Sequence, residues 1–210
     1  MEELLEYQEG KRVWFTSDLH LGHDKEFIWH ARGFNSVAEM NEAIIANLQA
    51  MVGDEDRLFI LGDLMLGGAA ADPGYWLQQL PGKVEIILGN HDTNKREEAY
   101  RQFFPDAVFD ARRLRYKARD GKTYHFYLSH YPTLTSNYDD ATKPLSARLI
   151  GLYGHTHQTT SWYIVNDSGD VHPFMYHIGI DAHNNRPVEI EDIITEIKAC
   201  YKTYEMEKEN

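Results

Sequence analysis

The chain has 210 residues, of which 42% are apolar, and its formal net charge is −12. This length suits a single domain over residues 1–210, which buries about 70% of the surface that its unfolded form exposes. The acidic balance disfavours long nucleic acid as a partner, because such binding requires many Lys and Arg side chains to neutralise phosphates.

The cysteine count and the hydropathy pattern exclude further classes of protein. Cys200 is the single cysteine, so an internal disulfide and a thiolate metal cluster are excluded, and any metal must be held by nitrogen and oxygen atoms. No apolar run approaches the ~18 residues of a membrane span. The first ten residues, MEELLEYQEG, are acidic, unlike a signal peptide. We therefore expect a cytoplasmic protein with no membrane partner.

The predicted elements alternate between short strands and helices. Strands rich in β-branched and aromatic residues, which we expect to be buried on both faces, are predicted over 12–17, 57–62, 84–89, 107–110, 125–129 and 149–154. Helices are predicted over 36–51, 72–80, 95–104 and 189–209. This alternation predicts a mixed α/β domain with sheets inside and helices outside.

Turn and cap signals support these boundaries. Ser36 with Glu39 forms a predicted capping box, and Asp72 followed by Pro73 is a predicted helix start. Two hairpin turns are predicted between strand-like runs, at Asp120-Gly121 and at Asp167-Ser168-Gly169.

Five predicted strands end in side chains that can bind metals. The endings are Ser17-Asp18-Leu19-His20, Gly62-Asp63, Gly89-Asn90-His91-Asp92, Ser129-His130 and Gly154-His155-Thr156-His157. A single ending of this kind commonly caps a turn. Five endings that use Asp, His and Asn indicate a shared purpose, because strands of an α/β sheet deliver their carboxyl ends to one crevice.

The residue types indicate the kind of ion. Imidazoles and carboxylates without thiolates suit Mn²⁺, Fe²⁺, Zn²⁺ or Co²⁺ better than Mg²⁺. Side chains two apart on an extended backbone share a face, so Asp18 and His20 should point the same way, as should His155 and His157. The candidate ligands are too many for one tetrahedral ion and suit two ions that share a carboxylate; they are Asp18, His20, Asp63, Asn90, His130, His155 and His157.

These motifs, in this order and at these intervals, resemble the calcineurin-like metallophosphoesterases. DLH, GD, GNHD, a lone His after a strand, and GHTH span residues 18–157, and the segments DLHLGH, LSHYP and IGIDAHNNRPVEIEDI resemble the small stand-alone members. The resemblance implies a four-layer α/β/β/α sandwich with a two-metal centre. It implies Mn²⁺ as the expected ion, with Fe, Zn²⁺, Co²⁺ or Ni²⁺ as alternatives.

The resemblance also implies a role for each ligand. Asp18, His20 and His157 would hold one ion. Asn90, His130 and His155 would hold the other, and Asp63 would bridge the two. The nucleophile would be a hydroxide that bridges the ions.

The GNHD segment supplies the predicted acid. By resemblance, His91 stands beside the ions without binding them. We predict that His91 protonates the leaving oxygen and that Asp92 orients His91.

Two side chains near the first motif are candidate substrate ligands. His23 can reach a substrate phosphate, and Arg32 can clamp one with its guanidinium; the alternative for each is an ordinary surface position. Arg113, Arg115, Lys117 and Arg119 alternate along one predicted strand, where a solvated hairpin face is favoured over a patch for an anionic substrate.

The substrate prediction rests on what the motifs lack. Phosphoprotein phosphatases of the superfamily carry Arg after the GD block, whereas this chain has GDLMLGG. Fewer cationic groups favour a diester monoanion, so we predict hydrolysis of small phosphodiesters such as cyclic or modified nucleotides. The alternatives are a phosphomonoesterase, a mononuclear metallohydrolase and a scaffold without catalysis.

Overall fold

The computed structural model describes residues 3–133, 144–164 and 171–208. Within these ranges the strands are β1 (Glu3–Glu6), β2 (Val13–Thr16), β3 (Arg57–Leu61), β4 (Lys83–Ile87), β5 (Val108–Phe109), β6 (Arg112–Lys117), β7 (Thr123–Leu128), β8 (Leu149–Tyr153), β9 (Trp162–Ile164), β10 (Val171–His177) and β11 (Val188–Glu189). The helices are α1 (Glu26–Trp29), α2 (Val37–Met51), α3 (Pro73–Leu77), α4 (Asn94–Phe103) and α5 (Ile190–Lys208).

The strands form two sheets. A five-stranded sheet has the order β11-β2-β3-β4-β5, in which β2 to β5 are parallel and β11 is antiparallel. A six-stranded sheet has the order β1-β6-β7-β8-β10-β9, and within it β7 and β8 are parallel neighbours. The expected mixed α/β fold with two sheets and helices is therefore confirmed.

Two apolar clusters hold the layers together. The inner cluster joins the sheets through side chains such as Phe15 and Phe59 on one sheet and Phe126 on the other, and it includes Ile193 and Ile197 of α5. The outer cluster covers the opposite face of the five-stranded sheet with apolar residues of α2, α3 and α4. Strands β2, β3 and β4 are consequently buried on both faces beyond their first residues.

All six predicted strands and all four predicted helices are present. β7 is an exception to the expected burial, because its residues alternate between partly buried and buried positions. Ser36 caps α2 by accepting from the Glu39 amide at 3.1 Å. The predicted capping box is wrong in one detail, since the Glu39 carboxylate accepts from the amide of Asn35 at 2.8 Å. Asp72 caps α3 by accepting from the amide of Tyr75.

The hairpin turn at Asp120-Gly121 is confirmed. It joins the antiparallel strands β6 and β7, and the amide of Gly121 donates to the carbonyl of Ala118 at 2.9 Å. The predicted turn at Asp167-Ser168-Gly169 lies outside the described residues, although β9 and β10 on either side of it are antiparallel.

β1 is a strand that the sequence pattern does not predict, and a network of ion pairs anchors it. Carboxylates of Glu3 and Glu85 pair with the guanidinium groups of Arg57 and Arg112, so that both sheets are linked. These residues lie near the starts of β3, β4 and β6, away from the carboxyl ends of β3 and β4. Among the helices of the described ranges, none has the length and apolarity that crossing a membrane requires.

Candidate metal centre

The five polar strand ends meet at one edge of the two sheets. The amide of Asp18 donates to the carbonyl of Gly62 at 3.1 Å, which joins the ends of the neighbouring strands β2 and β3. In the other sheet the amide of Gly154 donates to the carbonyl of His130 at 3.0 Å. The amide of His155 donates to the Asp18 carboxylate at 3.0 Å, so the two sheets are tied together within the site.

Left-handed backbone turns present the ligands. Of the candidate ligands, Asp18, His20, Asp63, His155 and His157 have φ angles of 59°, 50°, 54°, 69° and 50°. Non-glycine residues adopt this region at a cost of roughly 1–3 kcal/mol each, and such residues cluster at functional sites. The prediction that each Asp-x-His or His-x-His pair lies on an extended backbone is therefore wrong, because the turns bring the side chains together.

The glycines of these motifs are required by close approach. A Cβ placed at Gly89 would lie 2.3 Å from Oδ1 of Asp63. A Cβ placed at Gly154 would lie 1.9 Å from Oγ of Ser17 and 2.5 Å from Oδ2 of Asp18. Any side chain at these positions would displace a carboxylate of the site, which explains why glycine precedes the polar residues.

The first predicted ligand set is brought together. Donor atoms of Asp18, His20 and His157 all lie within 4.8 Å of one another. The Nε2 atoms of His20 and His157 face each other at 3.1 Å. Burial, together with the neighbouring His157, lowers the pKa of His20 to about 2, so its imidazole is neutral and can act as a ligand. Burial raises the pKa of Asp18 to about 6, which shows how strongly this pocket disfavours an uncompensated carboxylate.

The second predicted set converges on the amide oxygen of Asn90. Nε2 of His130 lies 2.9 Å from Oδ1 of Asn90, and Nδ1 of His155 lies 2.8 Å from the same atom. His130 is fully buried, and its Nδ1 lies 2.8 Å from the carbonyl of Leu61. Both ring nitrogens thus face oxygen atoms that can only accept; with the proton on Nδ1, Nε2 and the Asn90 oxygen present lone pairs to each other, an arrangement that suits a cation between them. Asn90 and His155 are exposed, so this side of the site opens to solvent.

Asp63 lies between the two sets. Its Oδ2 is 3.6 Å from Nε2 of His20 and 3.5 Å from Nε2 of His130. Its Oδ1 accepts from the amide of His91 at 2.9 Å. One buried carboxylate oxygen therefore faces a histidine of each set, which is the position that the bridging role requires.

The structure corrects the role predicted for Asp92. Its Oδ2 accepts from the amides of Asp63 at 2.7 Å and Gly89 at 2.9 Å, and its Oδ1 accepts from the hydroxyl of Tyr100 at 2.9 Å. Oδ2 thus holds the backbone of the turns that carry Asp63 and Asn90, and the hydroxyl of Tyr100 holds the carboxylate in place. The side chain is buried, so the predicted contact with the His91 imidazole is replaced by a role in shaping the turns.

His91 lies beside the centre, as the resemblance implies. Its side chain is 43% exposed, its Nε2 is 3.9 Å from Oδ2 of Asp63, and its ring lies 5.5 Å from that of His20. The ring of His23 lies 5.3 Å from that of His20, and burial lowers its pKa. Both imidazoles are placed where a substrate at the centre would meet them.

Arg32 has partners other than a substrate. Its side chain is 2% exposed; its Nε donates to Oδ1 of Asp181 at 2.8 Å, and its terminal nitrogens donate to the carbonyls of Leu19 at 3.0 Å and Asp18 at 2.7 Å. The guanidinium therefore braces the turn behind the ligands. The predicted phosphate clamp does not agree with these contacts, because the fork is already filled.

Asp181 is a site residue that the sequence reasoning missed. Its Oδ2 lies 2.8 Å from Nδ1 of His157, and this hydrogen bond raises the pKa of His157. Burial alone would raise the pKa of Asp181, but its hydrogen bonds with His157 and Arg32 lower it. A carboxylate on the distal nitrogen fixes the tautomer and ring orientation of a metal-binding histidine. The signal was present in the IGID segment, where the acid lies in a short 3-10 turn a few residues after β10.

Lys117 and Arg119 of the basic stripe lie away from the centre, whereas Arg113 pairs with Tyr127, three residues before His130. β6 runs antiparallel to β7, and Lys117 pairs with Thr123, at the end of β7 opposite His130. Lys117 lies 3.7 Å from Glu6, and the guanidinium of Arg119 lies over the ring of Tyr7 at 4.7 Å. For Lys117 and Arg119, these contacts favour the solvated hairpin face.

A cavity of about 680 Å³, which we call the side cavity, adjoins the centre. His20, His91 and His157 line it on the side of the predicted ions, and Phe27, Ile28 and Ile180 line it elsewhere. Its size falls in the range of roughly 300–1,000 Å³ typical of ligand pockets.

The comparison with known families agrees with this geometry. The model of the calcineurin-like phosphoesterases matches residues 11–162, which include every predicted ligand. The chain belongs to this family. The Gene 66 protein of Mycobacterium phage D29 is 32% identical over 204 residues, which cover 89% of this chain and 97% of that protein. The Gene 66 protein of Mycobacterium phage L5 is 31% identical over 189 residues, which cover 81% of this chain and 86% of that protein.

A solved structure shares the fold. The crystal structure of the protein of unknown function AQ665 from Aquifex aeolicus superposes with a TM-score of 0.60 at 19% identity. The match covers 89% of this chain and 99% of that one. As a calcineurin-like phosphoesterase, the chain thus combines the family fold with a cluster of Asp and His side chains that can bind metal.

Replacing Asp63 tests the bridging position. In Asp63→Asn we expect fewer than two ions per chain by elemental analysis and loss of turnover on aryl phosphate esters, because an amide cannot supply the charge that both ions share. Asp120→Asn, at a surface carboxylate paired with Lys198, is the matched control and should keep both properties. Two ions per chain with near-parental turnover in Asp63→Asn would contradict the assignment.

Replacing Asp181 tests the support of His157. We expect Asp181→Asn to weaken the affinity for one of two Mn²⁺ ions by about 10- to 100-fold, because the imidazole loses its charged partner. A chelator competition titration measures this, with Asp120→Asn again as control. Equal Mn²⁺ affinities in the parent protein and Asp181→Asn would show that Asp181 does not support a ligand.

Proposed function

We propose that the protein is a two-metal phosphoesterase that hydrolyses small phosphodiesters. The observation that carries this proposal is the position of Asp63 Oδ2, 3.6 Å and 3.5 Å from histidines of the two ligand sets. A buried carboxylate that faces metal-binding imidazoles of two ligand sets is a poor arrangement without cations and a good one with two. A small phosphate ester fits the side cavity, and the net charge of −12 disfavours a long polynucleotide.

The donor set fits two divalent ions of the Mn²⁺ type. Asp18, His20, His157 and Asp63 would hold one ion, and Asp63, Asn90, His130 and His155 the other. All donors are nitrogen or oxygen, and imidazoles favour Mn²⁺, Fe²⁺, Zn²⁺, Co²⁺ or Ni²⁺ over Mg²⁺. When bound, the ions would neutralise the phosphoryl group and activate the attacking water.

His91 supplies the proton for the leaving group. As water attacks phosphorus and the ester P–O bond breaks, the protonated imidazole donates from Nε2 to the departing oxygen. Its Nε2 lies 3.9 Å from Oδ2 of Asp63, which places the ring at the centre. Because 43% of the side chain is exposed, a substrate can reach the ring. Asp92 and Tyr100 assist indirectly, because they hold the turn from which His91 projects.

The charges around the centre favour a diester over a monoester. Among the described residues that line the side cavity, Arg32 is the single Lys or Arg, and its guanidinium is paired with Asp181. His23 has a lowered pKa because it is partly buried, so it offers a neutral imidazole rather than a second cation. A monoester dianion would need more positive charge than these groups provide, whereas a diester monoanion would not.

Replacing His91 tests the acid. In His91→Ala we expect unchanged metal content, with a loss of about 10²- to 10⁴-fold in turnover of esters with poor leaving groups and a much smaller loss for nitrophenolate, which leaves without a proton. His30→Ala, at an exposed histidine directly after α1, is the matched control. Equal losses on both classes of ester would remove the acid role.

The substrate class is tested by paired substrates. With Mn²⁺ we expect a higher kcat/KM for bis(4-nitrophenyl) phosphate than for 4-nitrophenyl phosphate, and we expect His23→Ala to lower the diester rate without loss of metal. His30→Ala should leave both rates unchanged. A clear preference for the monoester would assign the protein to the phosphomonoesterases instead, and absence of turnover with every ion would indicate a scaffold without catalysis.

A further inference from the structure

The side cavity has one apolar wall that the proposed chemistry does not use. Phe27, Ile28, Ala31 and Ile180 line it, while the metal-side histidines close it on the other side. A phosphoryl group at the centre would therefore place one of its ester groups against this wall. The composition of the wall indicates what that group is.

Phe27 is the most distinctive residue of the wall. Its side chain is 69% exposed, the largest value among the exposed large hydrophobic residues of the described chain. Its neighbours Ile28 and Trp29 pack against the outer apolar cluster, so α1 is anchored by them and holds Phe27 out towards the cavity. The ring lies edge to face with that of His23, with centroids 6.1 Å apart. An aromatic face held in this way is a platform for stacking, because every planar ring offers a face of its own.

Two asparagines add polar groups to the lining of the cavity. Asn184 and Asn185 both line it, with left-handed φ angles of 53° and 59°. The amide nitrogen of Asn185 donates to the carbonyl of Arg32 at 3.2 Å. Its Oδ1 is buried and has no donor among the residues that the structure describes.

The charge of the cavity narrows the ligand further. Arg32 is neutralised by Asp181, so the wall presents no free charge of either sign from this pair. Apolar surface next to an exposed aromatic face suits a planar, uncharged ring. We propose that the side cavity binds the heterocyclic base of a mononucleotide ester, with Phe27 stacked on the base. This proposal rests on the proposed function, since it assigns the substrate class of the same centre.

Binding measurements on the Mn²⁺-loaded protein test the proposal. The probes are AMP, thymidine 5′-phosphate and ribose 5-phosphate, because the last has the sugar and the phosphate but no base. By calorimetry we expect at least one nucleotide to bind more tightly than ribose 5-phosphate. In Phe27→Ala its affinity should fall at least about 5-fold, while the affinity for ribose 5-phosphate should stay unchanged.

Two further variants keep the outcome unambiguous. Phe27→Trp should retain the preference for the nucleotide, because it keeps an aromatic face. Phe103→Ala, at another exposed phenylalanine that lies on α4, should leave all affinities unchanged. Nucleotides that bind no more tightly than ribose 5-phosphate, or a Phe27→Ala variant that weakens all three probes equally or none of them, would overturn the proposal.

Turnover of bis(4-nitrophenyl) phosphate, measured on the same samples, separates the two proposals. Turnover without a base preference in binding would leave the phosphodiesterase proposal standing and remove the base site. A Phe27-dependent base preference without turnover would support the base site and remove the phosphodiesterase activity.

Discussion

The buried carboxylate of Asp63 is the constraint on which the site depends. Its oxygens face His20 and His130 and accept from the amide of His91, its own amide donates to Asp92, and its carbonyl accepts from the amide of His20. Asp63, at the end of β3, therefore contacts residues that follow β2, β4 and β7. A group held from so many directions cannot move without moving the others, and this rigidity suits a centre whose ligands must keep a fixed spacing.

Local strain and global packing are coupled at this edge of the sheets. The left-handed turns at Asp18, His20 and Asp63 are unfavourable in isolation. They persist because the strands that carry them are buried on both faces and because the glycine at position 89 lets Asp63 approach. The free energy gained by burying the two apolar clusters therefore offsets the strain of the turns. The same two sheets are also linked far from the turns, by ion pairs among Glu3, Arg57, Glu85 and Arg112. This second link holds the sheets together at a place that takes no part in the proposed reaction.

Arg32 and Asp181 show how one pair of side chains can affect both ions and substrate. Asp181 holds the distal nitrogen of His157 while Arg32 holds Asp181 and the carbonyl of Asp18. The same pairing removes the strongest cation from the lining of the side cavity. The pair therefore stabilises the ligand turn and at the same time leaves the cavity suited to an uncharged part of the substrate.

The sequence by itself determined the six strands, the four helices and the identity of the residues that meet at the strand ends, because burial pattern and turn chemistry are local properties of the chain. Residues 3–6 were missed as a strand, since their pairing with β6 is a long-range contact that a four-residue acidic segment does not announce. Only the tertiary structure decided which partner each polar side chain takes. Asp92 bonds to the backbone of Asp63 and Arg32 bonds to Asp181, which lies 149 positions away. A hydrogen bond depends on distance and direction in three dimensions, and neither can be read from spacing along the chain.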